Sequence, residues 1–493
     1  MSRAADAPSL LATCSRLEKA VLAHVAAMLL FAGWAYGGNI WWARDALAAW
    51  GLGGGVALTV LALRSPGDLG HESRCHAWVL LPWTLFGALV LVSCLNPSFV
   101  ERTMDGQTVL LHLGAAHPWL PSTVSPAASL REWAFVAGAW LAACNLWLVV
   151  RSRRALRWLL AGAAASAFVL AVFGTMQKLL VPSTKVAAGQ FNGYFTGFYF
   201  GAALSPQERF FATFIYNNHW GAFLLLWLAV AAGLLFYLAS RPHRGRSLWH
   251  SPFTALLAAG LFMAAGAPMS ASRSATAMTG LLVLVATGHA LRQIAAFRRA
   301  QGRPATPAVA IVLAVLLAAV AAVGWLARSL IDERVRETRA ALASDHGLFQ
   351  DRLDLYRDTW GLARQQPVFG WGLESFGTAF QLVRPRPVAA NRQYEKSYVE
   401  AHSDWLQSVA ETGFVGTALL GLMGALPLAW LPRRAFRQPV VAYPLVGCAL
   451  LALYAWIELP FANGAVMVSF WVVYFVALRY ATLQQRAESG SDD

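Results

Sequence analysis

Thr306-Pro-Ala-Val-Ala-Ile-Val-Leu-Ala-Val-Leu-Leu-Ala-Ala-Val-Ala-Ala-Val-Gly-Trp-Leu326 runs without one charged side chain between Arg303 and Arg328. As an α-helix rising 1.5 Å per residue it spans roughly 30 Å, the thickness of a bilayer's hydrocarbon core. A segment so uniformly apolar has no polar face to offer water, so it reads as a membrane helix and not as a surface helix of a soluble protein.

The pattern recurs along the chain. Its 493 residues are 57% hydrophobic and 13% charged, where a soluble protein carries about a quarter charged residues. Apolar runs of about 17 to 23 residues predict about twelve membrane helices, starting near residues 20, 44, 77, 133, 158, 219, 252, 275, 307, 413, 439 and 462. The first run is long and is followed by Gly38-Asn-Ile-Trp-Trp42 with no small-residue cleavage site, so it is read as a membrane helix and not a signal peptide. The five cysteines (Cys14, Cys75, Cys94, Cys144, Cys448) show no CxxC or metal-site spacing, and no disulfide framework is expected.

The formal charge of +14 does not gather on one basic face, which argues against a nucleic-acid partner. The arginines fall in short clusters: Arg151, Arg153, Arg154 and Arg157 after the fourth run, Arg241, Arg244 and Arg246 after the sixth, Arg292, Arg298, Arg299 and Arg303 after the eighth, and Arg433, Arg434 and Arg437 after the tenth. All lie on one side if the N-terminus is cytoplasmic, which is the positive-inside pattern. The expected organisation is a cytoplasmic tail over 1–19, helices one to nine over 20–329, a large outer segment over 330–412, helices ten to twelve over 413–480, and a second cytoplasmic tail over 481–493. Two further outer segments are expected at 96–132 and 181–218. Inside the largest, a helix is expected from Leu348 to Gln365, then a Pro367-Val-Phe-Gly-Trp-Gly372 turn, then a polar helix entering span ten.

Three polar constellations fall at the outer ends of helices, where an ionisable group is costly and tends to be functional. They are Arg209 to His219, Ser270 to Ser274 around Arg273, and Ala401 to Gly416 around His402. Each has a plainer reading. Arg209 and Arg273 suit snorkelling to lipid phosphates, Asn217 and Asn218 suit an N-cap, and His402 suits an ordinary interfacial position. On a continuous helix Glu411 points away from His402, which makes it a structural acid, and Gly413 and Gly416 suit close helix packing. Taken together, two arginines and a histidine on one outer face match transfer from a lipid diphosphate. Guanidinium forks pair bidentately with phosphate oxygens, and an imidazole can accept the proton of an incoming hydroxyl. The chain has no HExxH, Asp-x-Asp or Walker-type loop, so neither a metal nor a nucleotide cofactor is called for.

In this order and topology the motifs resemble the O-antigen ligase and Wzy-type polymerase family. His402 with Leu406, Gln407, Glu411, Gly413 and Gly416 is similar to the signature closing that family's large loop, and Ser272-Arg273 is similar to its Ser-Arg turn. Arg209 to Asn218 resembles its arginine, Thr-Phe and asparagine motif, although Tyr216-Asn-Asn-His219 stands where Asn-Pro-Asn is common. Arg352-Leu-Asp-Leu-Tyr356 and the 367–372 turn resemble the stretch inside its loop.

The resemblance implies an all-α, GT-C-like fold in the bacterial inner membrane. It also implies metal-independent, inverting transfer of a glycan from undecaprenyl diphosphate to an acceptor hydroxyl on the periplasmic side. Arg209 and Arg273 would hold the diphosphate, His402 would orient or deprotonate the acceptor, and Asn217, Asn218, Arg352 and Tyr356 would line the substrate. The acceptor is lipid A core for a ligase, another repeat unit for a polymerase, or a protein side chain for an oligosaccharyltransferase, with the ligase layout favoured. A transporter or flippase predicts internal repeats and midplane sites, and neither is evident.

Overall fold

The computed structural model describes residues 14–64, 77–104, 107–180, 198–199, 202–203, 211–241, 252–270, 272–326, 350–382, 398–429, 431 and 433–489, with isolated positions from 328 to 339. Their architecture is that of an all-α membrane protein. In chain order the helices are α1 (Arg16–Trp34), α2 (Trp41–Ala49), α3 (Gly55–Arg64), α4 (Leu80–Cys94), α5 (Pro126–Val149), α6 (Arg153–Leu180), α7 (Asn217–Ala239), α8 (Pro252–Met269), α9 (Arg273–Ala300) and α10 (Thr306–Leu326). They continue with α11 (Gln350–Ala363), a one-turn α12 (Phe376–Ala379), α13 (Asp404–Leu428), α14 (Pro439–Tyr454) and α15 (Gly464–Ser489).

Helices occur at each of the twelve predicted places. Among the described residues nine spans are long and apolar enough to cross a membrane, and three apolar helices are shorter: α4, Thr306–Ala322 of α10, and α14. A π turn at Trp50–Gly54 joins α2 and α3 into one of the nine.

The helix starts follow from local chemistry. Ser15 and Glu18 form a capping box on α1, the Ser15 hydroxyl accepting from the Glu18 amide and the Glu18 carboxylate from the Ser15 amide. Ser125 caps α5 with Pro126 in the first turn, Ser272 caps α9, and Ser403 caps α13. Helices α5, α7 and α15 form the interior, carrying buried Trp140, Trp220, Trp227 and Phe475. By contrast α9 and α10 turn Leu284, Ile311 and Leu317 outward, as a lipid-facing surface requires. The polar group of Asn145 is paired within the bundle, its amide donating to Gly55 O (3.0 Å) and its carbonyl accepting from Thr59 Oγ1 (2.9 Å).

Two small antiparallel sheets interrupt the helical pattern: β1 (Phe99–Met104) with β2 (Gln107–His112), and β3 (Phe198–Tyr199) with β4 (Ala202–Ala203). The first lies in the segment between α4 and α5. His112 sits between Phe99 and Trp371, its ring centroid 4.8 and 5.5 Å from theirs, so this hairpin braces the segment that follows α11. That segment has its own small apolar core of Phe99, Leu355, Leu362, Trp371, Phe376 and Phe380, separate from the helix bundle. This second core ties α11 and the described residues 364–382 to the hairpin and to the start of α13.

Candidate active site at the meeting of three helix N-termini

The starts of α7, α9 and α13 converge on the loop that follows α14. Asn217 Nδ2 donates to Ser270 O (2.8 Å), fixing the start of α7 to the turn before α9. The Ser272 and Tyr454 hydroxyls are 3.3 Å apart, tying that turn to the end of α14. Ser403 Oγ donates to Ala455 O (3.4 Å) and the Asp404 amide to Glu458 O (3.3 Å), fixing the start of α13 to the same loop. Three helix N-termini brought together concentrate positive partial charge, which favours a bound anion.

Glu458 stands at the centre. Arg352 Nη2 pairs with its Oε1 at 2.5 Å while Nη1 donates to Ile457 O (2.7 Å). His402 Nδ1 lies 3.8 Å from its Oε2, and Tyr216 Oη approaches the same oxygen at 3.5 Å. Asn218 Nδ2 in turn donates to Tyr216 Oη (2.7 Å), and Tyr356 Oη donates to His402 O (2.9 Å). Burial pushes the Glu458 carboxyl up, but the His402 ring and the Arg352 guanidinium outweigh it and hold it below the ordinary carboxylate value. Burial, and next the Glu458 charge, raise the Tyr216 phenol, which therefore stays a donor.

His402 has φ +51, the left-handed region that a side chain other than glycine rarely occupies. Such strain is retained where surrounding structure over-determines it. Here Tyr356 holds the His402 carbonyl, and Ser403 starts the helix immediately after it. The ring's Nδ1 is buried and has no hydrogen-bond partner within the described residues, and Glu458 Oε2 stands 3.8 Å from it.

Glu374 and Glu400 are open to solvent yet ringed by enough protein that burial raises both carboxyls, as in the wall of a cleft. Beside them Arg44 makes a bidentate pair with Glu132 (2.6 Å) and donates to Ala462 O (2.7 Å), bracing the loop that bears Glu458. Among the described residues no group of three or more His, Cys, Asp or Glu is placed to hold a metal ion.

The sequence-predicted residues distribute as follows. His402, Arg352, Tyr356 and Asn218 gather around Glu458, and Asn217 fixes the adjoining turn. Arg273 begins α9, exposed, with no hydrogen bond or ion pair to any described residue. Arg209 lies outside the described residues. The asparagines do not cap α7: its N-cap is Tyr216, with no side-chain bond, and both amides reach elsewhere.

Helix α13 is not continuous from His402, because His402 precedes it and Gly413 (φ +64, ψ −173) kinks it. Glu411 accepts from the amides of Glu374 (3.0 Å) and Phe376 (3.1 Å) and from Gln407 Nε2 (3.1 Å). The Phe414 and Val415 amides donate to Pro367 O and Val368 O, so Gly413 packs against the 367–372 turn and not against a membrane helix. Gly416 lies tight against the Thr412 side chain of its own helix. The residues missed in the sequence are Glu458, Glu132, Arg44 and Tyr216.

Residues 258–421 match the family model described as O-antigen ligase, about a third of the chain. The matched span carries Arg273, Arg352, Tyr356, His402, Glu411, Gly413 and Gly416, whereas Tyr216, Asn218 and Glu458 lie outside it. No curated protein matches the chain.

Proposed function

We propose that this protein is a glycosyltransferase of the bacterial inner membrane that moves a glycan from undecaprenyl diphosphate to the lipid A core of lipopolysaccharide on the periplasmic side. The observation that carries the reading is the convergence of three helix N-termini on a His402–Glu458–Arg352 cluster, with Arg273, unpaired among the described residues, opening one of those helices. The O-antigen ligase domain supports a role in glycan assembly, and the clusters of arginine at the opposite helix ends support a cytoplasmic position for those ends.

In this reading Glu458 takes Nδ1–H of His402, which leaves Nε2 to accept the proton of the acceptor hydroxyl. The 3.8 Å separation closes to a hydrogen bond by a small turn of the ring when the acceptor binds. Arg273, with Arg209 and the helix N-termini, neutralises the departing diphosphate, so no metal is needed for that role. Attack on the anomeric carbon from the face opposite the diphosphate inverts its configuration. The diphosphate already activates the sugar, so the step consumes no nucleotide.

The test uses purified protein in detergent with EDTA, an undecaprenyl-diphosphate-linked glycan, and lipid A core present or omitted. Product that requires the core supports ligation. A ladder formed from donor alone replaces that reading with a Wzy-type polymerase, and transfer to a protein acceptor replaces it with an oligosaccharyltransferase. No transfer to any acceptor overturns the proposal.

A further inference from the structure

At the end of the bundle remote from this site, a cavity of about 460 Å³ opens between α9, α14 and the short turn that precedes α14. Arg292 lies 19 positions along α9 from Arg273, which at 1.5 Å per residue puts the cavity roughly 28 Å from the candidate active site, one hydrocarbon thickness away. One wall is rigid. Phe236, His289 and Tyr443 stack with ring centroids 4.4 to 5.8 Å apart. Both His289 nitrogens are engaged, Nδ1 with Tyr443 Oη at 2.9 Å and Nε2 with Gln293 Nε2 at 3.0 Å.

The mouth carries Arg292 and Arg437, both exposed and neither paired with an acid among the described residues. No acidic residue is among those that line the cavity. Apart from His289 and Tyr443, whose polar atoms bond to each other and to Gln293, its remaining lining is apolar, with Val285 and Val446 leading from the arginines toward the middle of the membrane. We infer that this cavity binds an anionic phospholipid of the bilayer, its phosphodiester held by Arg292 and Arg437 and one acyl chain lying along Val285 and Val446. Charge complementarity selects the headgroup. Two guanidinium groups at headgroup depth with no acid among the described residues to neutralise them attract a phosphate, and a zwitterionic lipid brings a cation into the same positive field.

The test is thermal unfolding of the purified full-length protein in detergent. Dioleoyl phosphatidylglycerol is added in parallel with dioleoyl phosphatidylcholine, which has the same chains, and with inorganic phosphate. A ligand that binds only the folded state raises the unfolding temperature, and the expected rise with phosphatidylglycerol is about 3 °C or more. Phosphatidylcholine and phosphate are expected to give less than about a third of it. The rise disappears in the Arg292→Gln, Arg437→Gln double variant. It persists in Arg298→Gln, Arg299→Gln, which removes two charges from the same end outside the cavity.

Gly288→Leu provides a second arm that leaves every charge in place. A Cβ at Gly288 meets no atom within 4 Å, so leucine fits the fold and fills the cavity, and the rise is expected to disappear there too. An equal rise with phosphatidylcholine, a full rise with phosphate alone, or an undiminished rise in Gly288→Leu or the Arg292, Arg437 variant overturns the inference.

Discussion

His402 and Glu458 face each other with Nδ1 3.8 Å from Oε2, although 55 residues and two helices separate them in sequence. The relationship is built from both sides. Arg352 and Tyr216 hold the carboxylate, while the Tyr356 hydroxyl, donating to the His402 carbonyl, fixes the left-handed backbone that carries the imidazole. A histidine oriented by a buried acid is a way to fix one tautomer and leave the other nitrogen for proton transfer.

The Arg352–Glu458 pair sets a pH dependence. Glu458 titrates below its ordinary value of 4.5, so its ionised form stabilises the fold above that value and the contribution is lost as pH falls through the lowered one. Arg352→Gln removes one of the groups that hold the carboxylate down. The variant is expected to be less stable at pH 7 by about 1–3 kcal/mol, short of a fully buried pair because Arg352 is partly exposed. Its gap to wild type narrows as pH falls below about 4.5, where a neutral Glu458 needs no counter-charge. Unfolding temperatures measured from pH 7 to about pH 2.5 check this; a gap that stays constant across that range contradicts it.

Glu400 works in the opposite sense. Burial raises its carboxyl despite the nearby His402 and Arg44 charges, so ionisation costs stability, a cost absent below the ordinary carboxylate range and full above the raised value. Glu400→Gln is expected to unfold at a higher temperature than wild type at pH 8 and at the same temperature at pH 4. A variant less stable than wild type at pH 8 removes this account of the cleft wall.

The Arg273 side chain makes no hydrogen bond or ion pair with any described residue, unlike those of Arg44 and Arg352. Arg273→Ala is therefore expected to leave the unfolding temperature within about 1 °C of wild type, while glycan transfer falls on the order of 10²-fold. Arg273→Lys, which keeps the charge but not the fork, recovers only part of the rate. If the alanine variant unfolds earlier in proportion to its lost activity, Arg273 is structural.

Gly413 is where α13 meets the 367–372 turn. Its φ +64, ψ −173 conformation is essentially reserved for glycine, and the Val368 carbonyl occupies the space a Cβ needs. Gly413→Ala is expected to cost more than about 2 kcal/mol, read as loss of monodisperse protein on gel filtration after mild heating. Survival like wild type rules this out.

The helices were legible because uninterrupted apolar runs have few other readings, and the Arg and His motifs stood out against that background. The first hairpin was not, although Asp105-Gly106 between its strands is a strong hairpin signal; six-residue strands are easily hidden among long helices. Glu458 lay outside every motif, and its one trace was being the sole charged residue between Arg437 and Arg479. The helical-wheel argument for Glu411 assumes a continuous helix through His402, whereas the helix begins at Asp404 and bends at Gly413. Its result, a structural acid that does not pair with His402, agrees with the hydrogen bonds that Glu411 accepts from the amides of Glu374 and Phe376. The asparagines looked like caps because helix starts usually supply only local partners, whereas here Ser270 O and Tyr216 Oη compete for their amides.

The most direct measurement is the initial rate of glycan transfer from the lipid diphosphate by purified wild type, His402→Ala and Glu458→Gln, each checked for folding by its unfolding temperature. The account predicts that both folded variants lose on the order of 10²-fold or more, and that the double variant loses no more than the worse single one, since the pair acts as a unit. Wild-type rates in Glu458→Gln, or losses that multiply in the double variant, contradict it.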